Sequence, residues 1–337
     1  MNGGSSADFL PPPVLHNARG DVRKAGFELE YSGLSITDSA LLVRAVFGGG
    51  HVIDSTFEQR VTDTTFGDFK IEIDTKFLKD KQYEAPLRAL GFDPDSTDTT
   101  RLERALLGVL STVVPIEIGA PPIPVNQLAP LDELRRRLHL AGAKGTRASV
   151  FYAFGMHINP EIASEDPAVL LDHLRAFLLL YPWLKRESEV DLTRSITPYI
   201  DRFPSEYARL ILRPDYPATP QRLIDDFLQH NPTRNRPLDM LPLLTHLDAE
   251  RVRRAVPDMS LVTPRPSFHY RLPNCMIDEP HWTLAAEWNR WVAIERLAND
   301  AQRIAEMARD YEASEARSFK PFHDDWPDVL EQHMKSA

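Results

Sequence analysis

The chain has 337 residues, of which 49 are acidic and 39 basic, so its formal charge is −10 with histidines neutral. That acidic balance argues against nonspecific binding to nucleic acid, and 42% apolar with 26% charged residues excludes wholesale disorder. One cysteine, Cys275, excludes an internal disulfide and a zinc-type cysteine cluster. The opening MNGGSSADFLPPP lacks a basic segment followed by an apolar stretch. No apolar run approaches the roughly 18 to 20 residues needed to span a bilayer. A cytoplasmic protein with neither a membrane nor a nucleic-acid partner is the expectation.

Residues 1–20 combine Gly-Gly, Ser-Ser and Pro-Pro-Pro, which neither pack nor propagate a helix, and predict a mobile tail. From there to residue 160, short apolar or alternating segments separated by turns predict strands over 24–31, 69–74, 113–118 and 149–158. Leucines at 131, 134, 138 and 140 with charges between them predict an amphipathic helix over 131–140. Gly48-Gly49-Gly50 fits no phosphate-binding GxxxxGK[ST] pattern and reads as a flexible hairpin or loop. In the second half, helical spacing broken by prolines covers 167–182, 219–230, 238–247 and 281–315, with one strand at 267–272. Thr99 and Ser205 are plausible helix starts. The helix from His281 carries Trp282, Leu284, Trp288, Trp291, Ile294 and Leu297, then turns highly charged, so its front half should pack and its rear half should be solvated. Strands gathered early and helices late give an α+β fold class.

The chemistry starts in KAGFELEY. Glu28 and Glu30 are two apart in a strand, so both point to one face while Phe27, Leu29 and Tyr31 point to the other. A half-exposed strand with two solvated acids gives the same pattern. However, Glu72 in FKIEID and Glu117 in VVPIEIGAPP are also acids set inside apolar strands. A buried, unpaired carboxylate costs several kcal/mol, so such groups are paired, protonated or bound to a cation. Mg²⁺, which prefers oxygen ligands and is often held by carboxylates together with substrate phosphates, is one such cation. Asp74 shares a face with Glu72, and the alternation does not choose between them.

His157 ends the aromatic strand FYAFGMHINP after Gly155, where a close backbone approach is allowed. It is either a structural hydrogen-bonder or a neutral imidazole facing the glutamates. Arg194 in DLTRSITPYI, Arg234 and Arg236 in NPTRNRPLDMLP, and Arg265 and Arg271 in TPRPSFHYRLPN lie in proline-bounded turns or strands. Each alone reads as a surface ion-pair partner. Beside an acidic strand cluster, their planar forks suggest a site for metals and phosphates. No GxSxG elbow or HExxH sequence occurs, and Cys275 reads as a packed thiol.

The order GFELEY, IEID, IEIGAPP, GMHINP and FHYRLPN resembles the amidoligase family, within the carboxylate-amine ligase group that contains glutamine synthetase and glutamate-cysteine ligase. The likeness runs from about residue 23 to 300, and NPTRNRPLDMLPLL also looks like a recurrent segment of the family. The resemblance implies a curved, mostly antiparallel sheet forming an open funnel flanked by helices, the glutamine synthetase-like catalytic fold. It implies a single catalytic domain over 21–318 with a C-terminal extension at 319–337. Glu28, Glu30 and Glu117, with Glu72 or Asp74, take the metal positions on that likeness, His157 lies near metal and phosphates, and Arg271 contacts phosphate. Residues Arg194, Arg234, Arg236, Arg265 and His269 join them around the nucleotide. His269 is a departure, because the better-known ligases commonly carry an acid two residues before that arginine. Imidazole is a poor ligand for Mg²⁺ and serves Mn²⁺ better.

The implied activity is ATP-dependent joining of a carboxylate to an amine through an acyl phosphate, with ATP and Mg²⁺ or Mn²⁺ required. The substrate would be an amino acid, an amine or a peptide. Two other readings stand beside it: a noncatalytic nucleotide- or peptide-binding relative, which His269 favours, and a metal-dependent hydrolase.

Overall fold

A computed structural model describes residues 8–73, 115–148, 154–188, 202–256, 259, 262–317 and 326–335. Strand β1, Lys24–Tyr31, is its centre. Ala25, Phe27, Leu29 and Tyr31 are buried to 1% exposure or less, and Glu28 and Glu30 alternate with them on the other face. β1 is paired on both edges. β5 (Ile116–Gly119) and β6 (Ile123–Pro124) lie along one edge, and β7 (Met156–Pro160) along the other. Outward from β5 come β4 (Gly67–Ile73), β3 (Glu58–Thr64) and β2 (Gly50–Ile53), every pairing antiparallel. The sheet stays open.

Helices cover the apolar face. α1 (Ile36–Phe47) packs on β2, β3 and β4, with the Phe47 and Phe69 rings 4.5 Å apart. α1 escaped the reading of this region as mostly strands. Its start is marked by Ser35, whose hydroxyl accepts the Asp38 N–H at 3.0 Å. α2 (Pro130–Leu140) packs beside it. The glycine triplet is no slack loop: Gly48 caps α1, and Gly49 has φ +88, where an added Cβ would meet the Thr62 carbonyl oxygen at 2.2 Å.

The later elements are helical. α3 (Pro167–Glu187) runs on through Pro182, five residues beyond the expected end. It is followed by α4 (Ser205–Leu212), α5 (Pro220–His230), α6 (Leu241–Leu247) and α7 (Ala249–Ala255). The segment expected as one helix over 281–315 is two, α8 (Leu284–Ala298) and α9 (Ala301–Arg317), because the Asp300 carboxylate accepts the Arg303 N–H at 2.9 Å and starts a new helix. α9 is also packed rather than solvated, with Ile304, Met307, Ala308 and Tyr311 buried along one stripe. α10 (Trp326–Lys335) packs on α3 and α9, and the Trp326 indole donates to the Leu179 carbonyl at 2.9 Å.

The strand expected at 267–272 exists as single bridges. Tyr270 pairs with Ile158 on one side and Leu238 on the other. The Pro273 carbonyl accepts the Met156 N–H, but proline has no N–H to return, so the ladder is interrupted there. Residues 8–20, expected as part of a mobile tail, are anchored to α8 at their front: the Trp288 indole donates to the Leu10 carbonyl at 2.8 Å and the Leu10 N–H to Asn289 Oδ1 at 2.8 Å. The starts of two expected strands, at 113–114 and 149–153, and Thr99 fall outside the described residues. No helix among the described residues is long and apolar enough to cross a membrane.

One buried ion pair fastens β1 to α8. The Arg23 guanidinium, 1% exposed, donates to Glu295 Oε1 at 2.6 Å and Oε2 at 2.8 Å, while its Nε donates to the Glu161 carbonyl at 2.7 Å. Trp291 Nε1 adds a bond to Glu295 Oε1 at 2.7 Å. Removing one member of such a pair leaves an uncompensated buried charge. Arg23→Met should therefore cost about 3 to 5 kcal/mol in urea unfolding, and a loss below about 1 kcal/mol would show that the pair carries no such weight.

Candidate functional site

The face of the sheet opposite the core carries the acids, and the register aligns them. Glu30 stands opposite Glu117, Glu117 opposite Glu72, and Glu72 opposite Glu58, so one rung holds glutamates from four adjacent strands. Directly opposed residues on one face have Cβ atoms about 5 Å apart. Lys70 on the neighbouring rung reaches Glu72 Oε2 at 2.8 Å and Glu58 Oε2 at 3.4 Å, and offsets the charge at that end of the row. Glu58 was not among the expected residues. Its only signal is the alternation of EQRVTDT, since pairing register is not a local property. Asp74 and Arg194 lie outside the described residues.

At the other end of the sheet Glu28 faces His157 across β1 and β7. Glu28 Oε2 is 2.9 Å from His157 Nδ1, and Oε1 accepts from Asn159 Nδ2 at 2.9 Å. Arg265 donates to Asn159 Oδ1 at 2.7 Å and stands 3.9 Å from Glu28 Oε1. Glu30 Oε2 accepts the Gly155 N–H at 2.6 Å, and Glu30 Oε1 lies 3.8 Å from His157 Nε2. The bridged segment beside β7 brings His269 in, with Nε2 3.7 Å from Glu28 Oε2 and its ring 5.2 Å from that of His157, edge to face.

Behind His269 is Asp239, fully buried, whose Oδ2 is 3.3 Å from His269 Nδ1 and accepts from Arg234 Nε at 3.3 Å. Asp239 Oδ1 accepts the Leu241 N–H at 3.0 Å. Sequence reasoning passed over this residue by running a helix across 238–247, whereas residue 238 bridges Tyr270 and the helix starts at Leu241. Arg271 donates to the Arg234 carbonyl, so these two arginines stand together. Arg236 turns to other partners: it donates to the Arg202 carbonyl at 2.6 Å and lies over the Phe203 ring at 5.8 Å.

Burial pushes the His157 imidazole down to about 3 although Glu28 opposes the shift, so the ring is neutral and donates one N–H. Burial would raise Glu28, but the hydrogen bond from His157 and the nearness of His269 outweigh it and hold the carboxyl well below its usual value. Asp239 is likewise held low against burial by His269, Arg234 and Arg271. Burial lowers Arg271, which stays charged at neutral pH.

One ligand atom each from Glu28, His157 and His269 lie within 4.8 Å of one another. His269 Nε2 is buried without a hydrogen-bond partner. Two imidazoles and one carboxylate do not suit Mg²⁺, whereas the all-oxygen rung of Glu30 and Glu117 does.

Acid should weaken this cluster. Below about pH 6.5 the unfolded chain protonates the His157 imidazole, while the folded site refuses that proton until about 3, so native stability falls as pH drops through this window. The lowered carboxyls of Glu28 and Asp239 act in the same direction at the acid end. In metal-free protein, His157→Gln should flatten the fall in unfolding free energy between about pH 6.5 and 4. An unchanged slope in urea titrations across that range would contradict the assignment of a neutral buried ring.

The chain matches the family model described as "Putative amidoligase enzyme" over residues 21–293, far more than half its length. No curated protein and no solved structure matches it. The matched span contains every described residue of the site, including Glu58 and Asp239. The chain belongs to the amidoligase family.

Proposed function

We propose that the protein is an ATP-dependent ligase that joins a carboxylate to an amine through an acyl phosphate, on a glutamine synthetase-like catalytic sheet. The observation that carries this reading is the gathering of Glu28, Glu30 and Glu117 on one face of β1 and β5, with Arg265, Arg271 and Arg234 beside them. A carboxylate does not react with an amine at neutral pH, because its leaving group is poor and the amine is largely protonated. Phosphoryl transfer from ATP to the carboxylate makes an acyl phosphate, which the amine attacks with release of phosphate. Such chemistry needs positioning and offset of phosphate charge more than covalent help from the protein.

In this reading Glu30 and Glu117 hold Mg²⁺ or Mn²⁺, with Glu72 further along the row and in competition with Lys70. A bound divalent cation supplies charge compensation to the phosphates. Arg271 and Arg234 clamp phosphate oxygens, and Arg265 acts through Asn159 to hold Glu28 in place. Neutral His157 keeps Glu28 in its ionised form by donating to it. The substrates are an amino acid, an amine or a peptide.

The test is ADP release from ATP over a panel of amino acids, amines and peptides with Mg²⁺ or Mn²⁺. Glu30→Gln and Glu117→Gln should each lower ADP release by about 100-fold or more with little change in Tm. Normal metal-dependent ADP release by Glu30→Gln would contradict the assignment. His269, standing where related ligases carry an acid, favours a noncatalytic nucleotide-binding relative as the second reading. Calorimetric binding of ATP without ADP formation on any panel member would select it, and product without ATP would select a hydrolase.

A further inference from the structure

We propose that the free edge of β2 is a dimerisation surface, on which a second copy of this chain pairs its own β2 antiparallel about a twofold axis through Val52. The proposal goes beyond the ligase reading and does not rest on it.

The neighbours of β2 fix which of its backbone groups point outward. The Asp54 N–H donates to the Glu58 carbonyl at 3.2 Å, and in an antiparallel ladder the residues bonded to the partner strand alternate. With Val52 opposite Arg60 and Gly50 opposite Thr62, the residues turned toward β3 are Gly50, Val52 and Asp54. On the far side of β3 the Phe57 carbonyl accepts the Ile73 N–H at 3.0 Å, so by the same alternation Glu58 and Arg60 are the ones turned toward β2. His51 and Ile53 therefore aim their N–H and C=O groups away from the sheet, where they meet no backbone partner among the described residues.

The other rims of the sheet are guarded. β6 is two residues long and ends on Pro124, and the outer side of β7 is bridged at Ile158 by Tyr270. β2 reads Gly-His-Val-Ile, with no Lys, Pro or acid to protect it. Of the six large apolar side chains exposed among the described residues, three fall on β2 or its turn into β3: Val52 at 36%, Ile53 at 65% and Phe57 at 55%. An open, uncharged, apolar edge is a template for another strand.

Self-complementarity decides the occupant. Pairing through the outward groups sets His51 against Ile53 of the second copy, Ile53 against its His51, and Val52 against its Val52 on the axis. The next pair is Gly50 against Asp54 of the second copy. No two like charges come opposite each other, and Asp54 keeps its bonds to Arg60 at 2.8 and 2.9 Å. The axis stands perpendicular to the sheet, so the glutamate rows of both copies face the same side. The paired segment is short, which makes the dimer weak and concentration-dependent.

The test uses the full chain. Sedimentation velocity should show the 38.3 kDa monomer giving way to a dimer as the concentration rises to about 300 μM. Residues opposed without hydrogen bonds in an antiparallel pair have Cα atoms about 4.5 Å apart, within disulfide range, so mild oxidation should cross-link Val52→Cys about tenfold or more faster than Ile53→Cys. Cys275 is buried and does not compete. Val52→Lys and Val52→Glu should each raise the dissociation constant about tenfold or more, and an equimolar mixture of the two should recover a heterodimer. Ile53→Pro removes an outward N–H that no bond to β3 uses, so it should abolish the dimer while moving Tm by less than about 3 °C. A monomer at every concentration overturns the proposal, whether or not it captures extended peptides at this edge. So does a dimer unmoved by Val52→Lys, or equal cross-linking rates for the two cysteine variants. Wild-type sedimentation and the Val52→Cys rate decide the matter even if Ile53→Pro fails to fold.

Discussion

A strand shows alternate residues to opposite faces, and β1 is paired along both edges, so its side chains have no freedom to exchange roles. Phe27, Leu29 and Tyr31 must enter the core under α1 and α8. Glu28 and Glu30 are thereby committed to the other face, whatever the cost to their charges. The two flanking strands then bring the rest: β7 delivers His157 to Glu28, and β5 delivers Glu117 to Glu30. A slip of one residue in either pairing would send these acids into the core and dismantle the site and the fold together.

The charges gathered by that constraint are compensated locally. Glu28 is supported by Asn159 and His157, Glu30 by the Gly155 N–H, Asp239 by Arg234 and His269, and Glu72 by Lys70. Burial alone would raise the carboxyls of Glu28 and Asp239, and neighbouring donors and cations reverse that tendency. Most of this support is charge-assisted and short-ranged, which holds ligand-capable oxygens and nitrogens at fixed spacing and leaves His269 Nε2 turned toward Glu28. On the proposed reading, a preorganised polar surface of this kind would receive phosphate or metal without large rearrangement.

Local periodicity carried the reading of β1 to its ends, and with it the shared face of Glu28 and Glu30, because both depend only on a two-residue repeat. The α+β class and most of the late helices were legible for the same reason. What escaped was non-local. Nothing in EQRVTDT says that Glu58 lies beside Glu72, and nothing in RPLDMLP says that Asp239 stops short of the helix to meet His269. Arg234 and Arg236 are two residues apart and look equivalent in sequence, but one turns to Asp239 and the other to Arg202. The split of α8 from α9 at Asp300 was signalled by an aspartate at a helix start, a cue weaker than the apolar stripe that runs across it.

The central claim is that acids from β1 and β5, His157 and His269 converge on divalent cations that meet a nucleotide's phosphates. The most direct measurement is a crystal structure with Mn²⁺ and a nonhydrolysable ATP analogue, using anomalous scattering to locate the ions. The account predicts manganese peaks within bonding distance of Glu28 and of Glu30 or Glu117, with the terminal phosphate against Arg271. Nucleotide bound elsewhere, or manganese found only on the exposed acids of other surfaces, would contradict it.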